Sequence, residues 1–135
     1  MKATTVIKKA TKGINQFYNP RSAWNKGVKA YAVELLEKLQ ERAEYGSIEP
    51  DDLTSPKMLE KALLNGAYSW NEYSEGGCSQ IYDEDIAKRL CTPSELKITR
   101  NGERNPNKRE SWIDCQARAL YQAANLVKSY IKSYL

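Results

Sequence analysis

Few side chains in this chain can do covalent chemistry. It has no histidine, so no Ser-His or Cys-His pair, no imidazole base and no His-containing metal set can be assembled. The three cysteines, Cys78, Cys91 and Cys115, form no CxxC pair, and their number is odd. They read as reduced thiols, because no fourth soft ligand is available for zinc and no imidazole is present to lower a thiol's pKa. Three carboxylates stand together at Asp83-Glu84-Asp85. Their spacing is not that of an EF-hand; they suit either a helix N-terminus or an acidic surface that imitates phosphates for a basic partner. A basic stretch follows at Lys97, Arg100, Arg104, Lys108 and Arg109, interrupted by Glu103. It can contact phosphates, but no aromatic residue interleaves it for base readout. The Gly76-Gly77 pair lies outside any GxxxxGK[ST] or GxGxxG frame, so no nucleotide loop is indicated. The expectation is therefore a protein that binds, with no catalytic residue, cofactor or metal.

Around these candidates the charge falls into three blocks. Residues 1–33 hold seven bases (Lys2, Lys8, Lys9, Lys12, Arg21, Lys26 and Lys29) and no acid. Residues 34–95 carry a balance of −8, and residues 96–135 one of +5. The formal net charge is +4. Such a pattern yields either opposed basic and acidic surfaces or blocks that neutralise one another across the fold.

The 135 residues suffice for one domain, and 41% hydrophobic with 28% charged residues is a globular composition. No apolar run reaches the ~18 residues of a membrane span, and no signal-peptide pattern opens the chain. A cytoplasmic protein is expected.

The elements that must position the candidates are mainly helical. Residues 1–19, with the β-branched Thr4-Thr5-Val6-Ile7 run, read as a basic arm or an edge strand. Residues 20–135 read as one helical domain. Asn19-Pro20 predicts the first helix start, and Trp24, Val28, Tyr31, Ala32, Leu35, Leu36 and Leu39 make its apolar face, ending near Gly46. Glu49-Pro50-Asp51-Asp52 reads as a loop, and Ser55-Pro56 opens a second helix carrying Met58, Leu59, Ala62, Leu63 and Leu64. Asn65-Gly66 either ends that helix or lies within it. Tyr68, Trp70, Tyr73 and Tyr82 form an aromatic cluster, suited either to a partner patch or to closing the core. The last helix is the longest. Ile113, Ala117, Leu120, Ala124, Val127, Ile131 and Tyr134 recur at alternating spacings of four and three, and flanking apolar residues widen the seam. A wide stripe suits a central bundle helix, and the heptad spacing also allows dimerisation.

The strings Gly76-Gly77-Cys78-Ser79, Leu90-Cys91-Thr92-Pro93-Ser94-Glu95-Leu96-Lys97 and Gln116-Ala117-Arg118-Ala119-Leu120-Tyr121-Gln122-Ala123 resemble a family of small proteins from phages and integrating elements of gut bacteria. The Lys2 to Lys12 opening is similar to anti-CRISPR proteins that inhibit Cas9. This resemblance implies stoichiometric inhibition of a Cas9-type effector, with the effector or its guide-RNA complex as partner. The alternative is an accessory protein of a mobile element that binds nucleic acid through the basic opening and the 97–109 loop. Candidate partner-binding residues are Asp83, Glu84, Asp85, Lys97, Arg100, Arg104, Lys108 and Arg109.

Overall fold

A computed structural model describes residues 2–75 and 109–135, with the side chains of the last helix from Gln116 onward. The order is α1 (Ala3–Phe17), α2 (Ala23–Glu44), α3 (Pro50–Thr54), α4 (Pro56–Leu64), α5 (Trp70–Glu75) and α6 (Arg109–Tyr134). The protein is mainly α, and the described residues contain no strand.

The opening segment differs from its reading as a strand or arm: it is α1, a helix of 15 residues. Local signals hide it. Lys2 stands at the N-cap without a side-chain cap, the first turn has no acid and the last turn has no base. Each of these omissions forgoes stabilisation that a helix end usually takes from caps and the macrodipole. Burial decides instead. Ala3, Val6, Ile7, Ala10, Gly13 and Ile14 form one buried stripe at helical spacing, and removing two fully buried isoleucines and a valine from water contributes roughly 1.5–3 kcal/mol each.

Gly13 lets that stripe close on α6. A β-carbon there would stand 2.5 Å from Tyr134 Oη and 3.1 Å from Tyr130 Cδ1. The small residue is a packing requirement, and its helical cost is offset by the approach it permits.

α2 begins three residues later than Asn19-Pro20 suggests. Ser22 is the N-cap and accepts the Asn25 N–H at 3.1 Å. Asn19 turns back instead, donating from Nδ2 to the Gln16 carbonyl at the end of α1. The expected face is buried from Val28 to Leu39, with Trp24 half-buried at its rim. The helix stops in a Schellman arrangement. Gly46 N–H donates to Ala43 O and Ser47 N–H to Arg42 O, with Gly46 at φ +79°.

The Glu49–Asp52 stretch is not a loop. Glu49 and Asp52 form a reciprocal capping box, and Pro50 occupies the first position of α3. Only Leu53 of this short helix is buried. Ser55 caps α4 as its Ser-Pro sequence implies, accepting the Met58 N–H. Leu59, Leu63 and Leu64 face inward, whereas Met58 is exposed, contrary to its assignment to the apolar side. Asn65 in the left-handed region, followed by Gly66 at φ +90°, ends α4.

α6 is the hub, packing against α1, α2, α4 and α5. Trp24 meets Gln122 and Tyr31 meets Gln116, so α6 retreats as α2 advances and the two run antiparallel. Ala117, Ala119, Leu120, Ala123, Ala124, Val127 and Ile131 are all buried. This is the wide central stripe, and its alanines allow helices to approach on several sides.

Candidate interaction surface

The buried stripe of α1 leaves the opposite face to water, and every charge on that face is positive. At 100° per residue, Lys2, Lys8, Lys9 and Lys12 fall within an arc of about 120° on the side away from the core. All four are exposed, and Asn15 and Gln16 continue the exposed surface toward Phe17. Among the described residues no ion pair involves any of these lysines. Lys8 and Lys12 are i,i+4 neighbours, so the arrangement costs α1 a few tenths of a kcal/mol by like-charge repulsion. The fold does not need these charges where they stand.

The absence of acid extends beyond α1. Arg21 and Lys26 are exposed around the start of α2, and Arg118 and Lys132 lie exposed on α6. Residues 1–33 and 115–135 together contain ten bases and no acid. One of these cations is fixed by an aromatic ring: the Arg118 guanidinium lies 4.9 Å from the centre of Trp24. The indole N–H donates to Gln122 Oε1 at 2.7 Å, which sets the ring plane. Two turns further along α2, buried Gln116 donates to the Tyr31 hydroxyl at 3.4 Å.

Carboxylates collect elsewhere. Glu37, Glu41 and Glu44 are exposed on the second half of α2, and Glu49 and Asp51 are exposed at the start of α3. The blocks seen in the sequence are thus partly separated in space: α1 and the part of α6 from Cys115 onward carry no acid, while the far end of α2 and α3 are acid-rich. The apolar stripe of α1 is buried in the core, so the helix cannot also lay it on a membrane. No helix among the described residues is long and apolar enough to cross one.

The residues singled out by sequence are mostly not among the described ones. Asp83, Glu84, Asp85, Lys97, Arg100, Arg104 and Lys108 lie outside the described residues, as do Tyr82, Cys78 and Cys91. Arg109 is the first residue of α6. Of the aromatic cluster, Trp70 and Tyr73 are buried edge to face at 5.8 Å, serving the core, while Tyr68 is 93% exposed. The lysine face is visible in the sequence as an acid-free block. What the β-branched run and the missing caps obscure is its helical conformation, and with it the gathering of four lysines on one side. The signal that could have found it is the helical spacing of Ala3, Val6, Ile7, Ala10 and Ile14.

Compared with models of known protein families, with curated proteins and with solved structures, the chain has no match.

Proposed function

We propose that the chain acts by stoichiometric binding rather than catalysis, docking its acid-free cationic face on a nucleic-acid-bearing complex in the cytoplasm of a bacterial host. The observation that carries this reading is the lysine face of α1: exposed, unpaired within the described residues, and electrostatically unfavourable to the helix that bears it. Charges kept at a cost to folding suit a polyanion, whose condensed counterions are released on contact. The resemblance to mobile-element proteins and Cas9 inhibitors supplies the partner class, a guide-RNA-loaded Cas9-type effector. Occupying the path of its RNA or DNA blocks cleavage without any turnover.

A second reading keeps the same lysines and drops the effector: an accessory protein of a mobile element that binds nucleic acid by itself, with Lys97, Arg100, Arg104, Lys108 and Arg109 adding contacts. The acidic residues support the effector reading in their own way, since Glu37, Glu41 and Glu44 on α2, and Asp83, Glu84 and Asp85 in sequence, suit a basic nucleic-acid channel.

The test is DNA cleavage by guide-loaded Cas9-type effectors with excess wild-type protein, beside binding of free RNA and duplex DNA over a salt series. Inhibition that is lost on reversing Lys8, Lys9 and Lys12 to Glu supports the effector reading. Full cleavage with tight, salt-steep binding to free nucleic acid supports the accessory reading. Three phosphate contacts on a duplex give a slope of log K on log salt of about −3. No binding in either assay overturns both.

A further inference from the structure

A groove of about 400 Å³ lies beside α4, lined by Lys57, Glu60, Lys61, Leu64, the Gly66–Ala67 turn and Tyr68. Its volume is within the range of ligand pockets, roughly 300–1,000 Å³. Its charges are unequally committed. Glu60 is held by the Lys128 ammonium of α6, which removes the one carboxylate of the lining from play. Lys57 and Lys61, one turn apart on α4, are exposed and form no ion pair among the described residues. The groove therefore presents two free cations beside the exposed Tyr68 ring, with the largely buried Leu64 and Ala67 as its floor.

Tyr68 is what makes this groove more than a surface depression. Its ring is 93% exposed, yet its backbone is fixed. Ala67 N–H donates to Leu64 O at 3.0 Å, Tyr68 N–H to Glu72 Oε2 at 3.0 Å, and Glu72 N–H to Ser69 Oγ at 3.1 Å. The left-handed Asn65 and the positive-φ Gly66 bring the chain round to that position. A large aromatic ring held in water on an ordered turn is the usual anchor of an interface, because little entropy is lost when it is covered.

We infer that this groove is a docking site for an acidic peptide segment of a partner protein. One apolar side chain of the segment packs on the Tyr68 ring over the edges of Leu64 and Ala67, and its flanking carboxylates pair with Lys57 and Lys61. Charge complementarity selects the occupant: Lys57 and Lys61 are the uncommitted charges of the lining, whereas Glu60 is held by Lys128 and the neighbouring Glu72 is engaged at the Tyr68 N–H. The site is separate from the lysine face of α1, and its existence does not depend on the function proposed above.

The experiment is a fluorescence-anisotropy titration of the full chain with a short labelled peptide bearing a Leu-Phe pair flanked by Glu. A peptide with Lys in place of each Glu serves as control. The expected result is saturable binding of the acidic peptide alone, weakened about tenfold by Lys57→Glu with Lys61→Glu and severalfold by Tyr68→Ala. These residues are exposed, so their variants should fold, and unchanged circular dichroism checks that. Reversal of Lys8, Lys9 and Lys12 should leave this binding unaltered, which separates the groove from the α1 face. Absence of saturable binding, or binding that follows the α1 lysines rather than Lys57, Lys61 and Tyr68, overturns the inference.

Discussion

Replacing Gly13 with Ala sets two known effects against each other. Alanine is favoured over glycine in a helix interior by about 0.8–1.0 kcal/mol, so an unhindered site would gain stability. Here the added β-carbon meets Tyr134 Oη at 2.5 Å, Tyr134 Cε2 at 3.0 Å and Tyr130 Cδ1 at 3.1 Å. One ring moving aside does not relieve the other, and both pack against the core. Overpacking of this kind costs about 1–3 kcal/mol. The expected net is a loss of about 1 kcal/mol, which lowers the urea midpoint by roughly 0.5–1 M for a slope of 1–2 kcal/mol/M. Tyr134→Ala removes the two closest contacts. In that background only the Tyr130 contact at 3.1 Å remains, so Gly13→Ala should lose most of its penalty, for a coupling energy of about 1 kcal/mol in a double-mutant cycle. Denaturation followed by circular dichroism on the four proteins reads this directly. If Gly13→Ala raises the midpoint of the otherwise wild-type chain, α1 and α6 are not as close as described and the packing role of Gly13 fails.

Further outcomes follow from the same packing. Leu120→Asp should unfold the protein, since it places an unpaired carboxylate at a fully buried position of α6 at a cost of several kcal/mol; an unchanged melting temperature would mean that this seam is not the core. Tyr31→Phe should cost about 1–2 kcal/mol in chemical denaturation by depriving buried Gln116 of its partner, and a change below ~0.3 kcal/mol would assign the pair no structural weight. Lys8→Glu should raise stability by a few tenths of a kcal/mol, because it replaces a like-charge i,i+4 pair with an attractive one. The same variant should weaken binding of nucleic acid and flatten its salt dependence; loss of stability instead would show that the lysine serves the fold.

Part of the interaction surface is legible in the order of residues. The acid-free block from Lys2 to Lys29 is a property of the sequence, and so is the acidic composition that follows it. Its conformation is only partly legible: Ala3, Val6, Ile7, Ala10 and Ile14 recur at helical spacing, but Thr4, Thr5, Val6 and Ile7 favour strand locally and nothing around Lys2 marks a helix start. The groove is less legible still. By spacing alone, Lys57 and Lys61 resemble an ordinary solvated helix face, and Tyr68 is one of four equivalent aromatic residues. Their distinction depends on Lys128, far along the chain on α6, reaching Glu60.

What the sequence determined by itself was the set of periodic elements: α2, α4 and α6 follow from apolar spacing, with the Ser-Pro start of α4 and the Tyr-Gly end of α2, since side-chain periodicity and capping are local physics. The Asn65-Gly66 pair by itself leaves the end of α4 open. The tertiary structure decided between the conflicting local signals of residues 3–17, helical apolar spacing against β-branched residues and missing caps. Their intrinsic preference is weak or contrary, and they are helical because Ile7 and Ile14 are fully buried and Gly13 admits Tyr134. Burial against a distant helix outweighs local propensity, which amounts to a few tenths of a kcal/mol per residue. That outcome, which the helical spacing of Val6, Ile7, Ala10 and Ile14 permits and burial decides, is also what places the lysines of α1 together on one face.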